Sequence, residues 1–82
     1  MEERKMNEQI LMEKEIIDCI NTIFTVELTK DRFGSYIVSA DNIKNKKWYD
    51  ELRIFIRCYK SLTCAIKKYR NLQTYEIKLV KR

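Results

Sequence analysis

A long stretch with helical periodicity, residues 44–72, constrains the fold of this chain most strongly. Its large apolar residues recur at steps of four and three: Trp48, Leu52, Phe55, Tyr59, Leu62, Ile66 and Tyr69. Such steps place side chains along one face of an α-helix. The stretch contains no Pro and no Gly, so none of its residues strongly disfavours a helix. The sequence therefore predicts one long amphipathic helix whose apolar side is buried.

A second helical pattern is predicted from about Asn7 to Ile23. The apolar residues on this predicted face are Met6, Ile10, Met12, Ile16, Ile17, Cys19, Ile20, Ile23 and Phe24. That face is wider than contact with one small sheet requires, and small chains often gain core by pairing. We therefore expect a homodimer through this first helix, with Met12, Ile16 and Ile23 in the contact. Residues 1–6 are expected to be frayed.

Between the two helical stretches the pattern changes to that of strands. The alternating apolar positions are Phe24, Val26 and Leu28, and then Tyr36, Val38 and Ala40. The segment Lys30–Gly34 holds the chain's one Gly and predicts a hairpin loop. After Asn71, Tyr75, Ile77 and Leu79 alternate with polar residues and predict a third strand.

The predicted fold is α+β, a single domain over residues 1–82 with the order α-β-β-α-β. The simplest assembly is a small three-stranded sheet with two helices packed on one face. The last strand could follow the preceding one in parallel, through a right-handed crossover, or return antiparallel. The pattern leaves both connections open.

The composition limits the catalytic and metal-binding chemistry that this chain can perform. The chain has no His, which removes the commonest general base and the commonest metal ligand. Cys19, Cys58 and Cys64 are odd in number and lack C-x-x-C spacing, so they predict neither a disulfide framework nor a zinc site. Reduced thiols of a cytoplasmic protein are the expectation. We expect a non-enzymatic protein with no cofactor, no metal site and no catalytic residues.

The apolar runs are also short. None approaches the ~18–20 residues needed to span a bilayer, so no membrane partner is expected. The motif Glu76-x-Lys78 resembles half of a metal-dependent nuclease signature, but no acidic cluster accompanies it. A small nuclease or toxin is therefore the least favoured of the functional alternatives.

Charge is segregated along the chain, which has a net charge of +5. Residues 1–24 hold six acids and three bases, whereas residues 44–72 hold nine bases and two acids. On the long predicted helix, the cations that fall on or beside one stripe are Lys46, Arg53, Arg57, Lys60, Lys67 and Lys68. Such a stripe suits an acidic protein surface, or the phosphates of a nucleic acid or ribonucleoprotein. The alternative is a solvated helix face opposite the core.

Two aromatic residues are candidates for contact with a partner. Tyr49 is predicted to project towards the basic stripe, and Phe33 lies at the tip of the predicted hairpin, where an apolar side chain buries nothing locally. Trp48, Tyr59 and Tyr69 fall on the apolar seam and are assigned to the core.

The Ile/Lys/Asn/Glu-rich, Pro-free composition is similar to that of small accessory proteins of phages and mobile elements, among them anti-CRISPR proteins. The resemblance is one of composition and covers no motif. It implies a small interaction protein that inhibits a host defence or regulatory complex. The sequence thus favours a non-enzymatic interaction protein that docks through a basic helix. Direct nucleic-acid binding by the same helix is the alternative.

Overall fold

The computed structural model describes residues 8–80, which form one antiparallel sheet and one α-helix. Five strands lie side by side in chain order, each antiparallel to its neighbour. The elements are β1 Glu8–Ile17, β2 Ile23–Asp31, β3 Tyr36–Asp41, β4 Arg53–Tyr59, α1 Leu62–Asn71 and β5 Lys78–Leu79. Two short 3-10 helices, Ile43–Asn45 and Thr74–Glu76, precede β4 and β5.

The predicted three-stranded sheet with two helices is therefore wrong. Residues 8–17 form strand β1, and the predicted long helix divides into a loop, strand β4 and helix α1. The reason is that a step of four is an even number. It keeps Phe55 and Tyr59 on one side of a strand as well as on one face of a helix. The β-branched and aromatic residues of β4 then favour the strand.

The predicted first helix had a wide apolar face because its apolar residues lie on both sides of a strand. Met12 and Ile16 point to the side of the sheet that carries the core, whereas Ile10 and Ile17 point to the other side and are exposed. The homodimer was predicted to form through a first helix, and residues 8–17 form strand β1 in place of that helix. The residues expected to be frayed, 1–6, lie outside the described residues.

The two hairpins of β1–β2 and β2–β3 have the same turn. Asp18 begins the first turn and Asp31 the second, and in each the Asp carboxylate accepts hydrogen bonds from the N–H groups two and four residues later. The residue three positions after each Asp has positive φ: 67° at Asn21 and 86° at Gly34. The second turn confirms the predicted hairpin, although β2 continues as far as Asp31.

The long connection between β3 and β4 is closed by side chains. The Asn42 side chain is almost fully buried, donates to Glu51 O at 2.9 Å and accepts from Arg53 N at 3.1 Å. Asp50 accepts from Lys47 N at 2.8 Å. Because Asn and Asp side chains form these bonds, the connection turns without Gly or Pro.

Helix α1 packs across β2, β3 and β4 on one side of the sheet, which we call the helix side; the opposite side is the open side. The buried apolar core lies on the helix side and consists of Phe24, Val26, Leu28, Val38, Ala40, Phe55, Ala65, Tyr69, Leu72 and Ile77. Ser61 caps α1 by accepting from Cys64 N. Burial of Phe55 and Tyr69 is confirmed, whereas the prediction for Trp48 is wrong because its side chain is 90% exposed.

Within residues 8–80, α1 is too short and too polar to cross a membrane, and no other α-helix is present.

Candidate interaction surfaces

The two sides of the sheet carry opposite charge. The strand cations Lys14, Lys30, Arg53 and Arg57 share the helix side, where the described strands place no acid. The open side carries the strand acids Glu13, Glu15, Glu27, Asp31 and Asp41, with Lys78 as a cation. Alternation of side chains along each strand turns a mixed sequence into two charged surfaces.

The helix side continues as a basic surface. Residues 53–71, which form β4 and α1, contain six cations and no acid. We define the basic face as the exposed cations of this side and of the β2–β3 turn: Lys30, Arg32, Arg57, Lys60, Lys67 and Arg70. It includes three of the predicted stripe residues, Arg57, Lys60 and Lys67.

Phe33 lies where the basic face meets the β2–β3 turn. Lys30, Tyr36 and Tyr59 are paired in one row across β2, β3 and β4, so Lys60 and the turn are at the same end of the sheet. The Phe33 ring is 80% exposed and lies 5.0 Å from the Arg32 guanidinium. The structure therefore places this predicted contact aromatic beside cations.

Arg53 has a structural role that the sequence did not indicate. Its guanidinium donates to Asp18 Oδ2 at 3.2 Å, to Ile77 O at 2.8 Å and to Thr74 O at 2.9 Å. Burial raises the pKa of Asp18, but hydrogen bonds from Thr22, Ile20 and Arg53 outweigh it and leave that pKa below its ordinary value. Through these three bonds Arg53 joins the first turn to the segment before β5, and its guanidinium has few donors left for a partner.

Lys68 and Lys46 are also separated from the basic face. Lys68 forms an ion pair with Glu76, which lowers the pKa of that carboxyl. Lys46 lies in the β3–β4 connection, beyond the 3-10 helix. Of the six predicted stripe residues, three are exposed on the basic face, two are paired with acids and one lies elsewhere. They are Arg57, Lys60 and Lys67, then Arg53 and Lys68, and last Lys46.

Two adjoining grooves lie at the end of the sheet opposite the Phe33 turn. One has a volume of about 610 Å³ and is lined by Ile20, Tyr49, Arg53, Tyr75, Ile77 and Leu79, among others. The second, about 550 Å³, is lined by Lys46, Trp48, Leu52 and Val80. Asp50, Glu51 and Leu79 line both grooves and so join them into one concave surface.

An exposed apolar cluster surrounds these grooves. We call it the aromatic patch and define it as Ile20, Trp48, Tyr49, Tyr75, Leu79 and Val80. The rings of Trp48 and Tyr49 pack edge to face with centroids 5.4 Å apart. Tyr49 was predicted to be exposed, and it is, but beside Asp50 and Glu51 instead of the basic stripe.

Most of the aromatic patch was missed from the sequence. Trp48 fitted the helical seam, yet it follows Lys46 and Lys47, cations that are unfavourable at a helix N-terminus. That conflict was the available signal that no α-helix begins within residues 44–50. Nothing in the spacing of Ile20 or Tyr75 distinguished them from core residues.

Within residues 8–80, no group of three or more Cys, Asp or Glu residues is placed to hold a metal ion. The three cysteines are exposed and free. Comparison with known proteins gives no matching family model, no matching curated protein and no matching solved structure.

Proposed function

We propose that this chain is a small non-enzymatic interaction protein that docks on the acidic surface of a partner protein through its basic face. The observation that carries the proposal is Phe33, an aromatic side chain that is 80% exposed at the edge of that face. Aromatic residues, Phe among them, are enriched in protein interfaces, and a few buried anchors supply much of the binding energy.

The backbone at Phe33 is held in place before any partner arrives. The Asp31 carboxylate accepts from Phe33 N and from Ser35 N, both at 2.9 Å. These bonds fix the backbone of the turn and limit the backbone entropy that is lost when Phe33 enters a complex.

The cations of the basic face supply the long-range attraction. Lys60, Lys67 and Arg70 are exposed, and the acid-free run 53–71 leaves the surface around them positive. Complementary charge raises association rates and excludes partners of the same sign. A protein that covers the acidic surface of another would inhibit it without chemistry, which fits the compositional resemblance to phage accessory proteins.

Direct nucleic-acid binding is the second candidate, and the acid-free run of six cations favours it, since phosphates need only such a surface. The positions of the exposed aromatic residues favour a protein partner. Trp48, Tyr49 and Tyr75 lie around Asp50 and Glu51, whose charges repel a phosphate backbone. Of the four exposed aromatic residues in residues 8–80, three thus lie away from the basic face and only Phe33 lies beside its cations. Single-strand binding surfaces combine several stacking residues with cations along one groove.

Two probes distinguish these candidates in a fluorescence anisotropy assay at two salt concentrations. One is a synthetic peptide of interspersed Glu and Leu residues, and the other is random-sequence duplex DNA. We expect the peptide to bind more tightly than the DNA. Phe33→Ala should weaken peptide binding by about tenfold, the loss typical of an interface hot spot. Ile56→Ala, an exposed apolar truncation on the open side, is the matched control.

Charge reversal tests the location of the surface. Arg57→Glu/Lys60→Glu/Lys67→Glu should abolish peptide binding, while Lys46→Glu/Lys47→Glu/Lys78→Glu makes the same change in net charge and should retain most of it. Equal losses from the two triple variants would show that only net charge matters and would overturn the proposal. Tight DNA binding with a steep salt dependence, unaffected by Phe33→Ala, would establish the nucleic-acid candidate instead.

A further inference from the structure

We infer that the aromatic patch is the interface of a two-fold homodimer, in which the grooves of one copy receive the apolar side chains of the other. The patch lies at the opposite end of the sheet from the Phe33 turn, so this inference is independent of the proposed docking surface. Its test needs no partner other than the chain itself.

The amount of exposed aromatic surface is the first support. Trp48 is 90% exposed, Tyr75 72% and Tyr49 61%. Since a large aromatic residue presents about 150–250 Å² when fully exposed, these three rings present on the order of 400 Å². That is about half of the ~800 Å² that each partner contributes to a standard interface. Ile20, Leu79 and Val80 add to it.

Charge complementarity favours a second copy of this chain as the partner that fills the grooves. The grooves carry both signs at short range, with the acids Asp50 and Glu51 and the cations Lys46 and Lys78 on their walls. An interface with two-fold symmetry brings each patch against an identical patch, so it must be complementary to itself. Acids and lysines on one patch satisfy that requirement, because the acids of each copy can meet the lysines of the other.

The other surface open to pairing is less suited to it. Strand β1 is an edge of the sheet, but its register shifts between Ile10 and Met12 and its Lys14 points to the helix side. A bulge and an inward-pointing charge are devices that protect edge strands from pairing. The two-fold contact through the aromatic patch leaves this edge and the basic face free.

Sedimentation equilibrium of the full chain provides the first test. The parent protein should approach twice its 10.0 kDa mass at high micromolar concentration. Trp48→Ala/Tyr75→Ala should raise the dissociation constant of the dimer by about tenfold or more, as expected for hot-spot aromatics. Phe33→Ala, equally exposed but on the basic face, should leave it unchanged. A parent protein that remains monomeric would overturn the inference.

A charge exchange tests the contact itself. Glu51→Lys in one sample and Lys46→Glu/Lys78→Glu in another should each be monomeric, because like charges then meet across the two-fold axis. A mixture of the two should form a heterodimer, since each reversed group now meets its complement. Unchanged dimers of both variants, or a mixture that stays monomeric although both variants retain the parent's circular dichroism spectrum, would place the contact elsewhere.

Discussion

The two hairpin turns that flank β2 are built alike but were not equally visible in the sequence. In the first, Asp18 Oδ1 accepts from Ile20 N at 3.0 Å and from Thr22 N at 2.9 Å. In the second, Asp31 Oδ1 makes the corresponding pair of bonds. Backbone bonds match as well, from Asn21 N to Asp18 O and from Gly34 N to Asp31 O. The common pattern is Asp, two variable residues, a residue with positive φ, and a hydroxyl residue.

The two turns differ in the type of residue at the fourth position. Gly34 marks a turn by its residue type, whereas Asn21 reaches the same left-handed conformation with a side chain that also occurs in helices. The hairpin at Gly34 was therefore predicted, and the one at Asn21 was read as part of a helix. The prediction therefore found the copy of this motif that contains Gly and missed the copy that contains Asn.

Each turn also presents an apolar residue to solvent at the same position, where a partner can contact it. Ile20 and Phe33 both lie two residues after the turn Asp, and they are 73% and 80% exposed. β2 places them at opposite ends of the sheet. Ile20 belongs to the aromatic patch, with charges of both signs nearby, whereas Phe33 borders the basic face. One motif thus serves the two surfaces for which we propose different partners.

The largest difference between the two turns should appear when each Asp is removed. Asp18→Ala should lower the free energy of unfolding by about 2–4 kcal/mol, because it removes the turn acceptor and the charged partner of Arg53, which keeps its bonds to Ile77 O and Thr74 O. Asp31→Ala removes turn bonds only, and about 1–2 kcal/mol is expected. Urea denaturation monitored by circular dichroism measures both. Equal losses would show that the ion pair of the first turn contributes nothing.

Acidification should also affect the two turns unequally. Because the folded-state pKa of Asp18 is lowered, the group stabilises the fold above its ordinary pKa of 3.8, and this stability is lost as pH falls through the folded pKa. Glu76 behaves in the same way through its pair with Lys68. We expect the melting temperature to fall between about pH 5 and pH 2. Asp18→Asn, which keeps the turn acceptor, should be less stable at neutral pH and lose less on acidification.

An unchanged slope in Asp18→Asn would mean that Asp18 is not the titrating group. Glu76→Gln is the matched control, since it removes the other carboxyl whose pKa is lowered and leaves the first turn intact. The two single variants should each remove part of the acid sensitivity.

Local signals in the sequence indicated the β2–β3 hairpin, the burial of Phe55 and the exposure of Tyr49. They did not indicate β1 or β4, because helix and strand periods coincide at steps of four and only tertiary pairing decides between them. The basic residues were identified by charge alone. Which of them are free depended on partners distant in sequence, Asp18 for Arg53 and Glu76 for Lys68.

The smallest effects should come from exchanging the residues with positive φ. Asn21→Gly and Gly34→Asn each install the residue of the other turn, and both residue types tolerate the left-handed region. Each change should therefore move the free energy of unfolding by less than about 0.5 kcal/mol. Gly34→Ala and Asn21→Ala should each cost about 1 kcal/mol, because Ala is strained there although a Cβ at Gly34 meets no neighbouring atom. If Gly34→Asn costs as much as Gly34→Ala, the second turn requires Gly itself, and the two turns are alike in geometry but not in what they demand of the sequence.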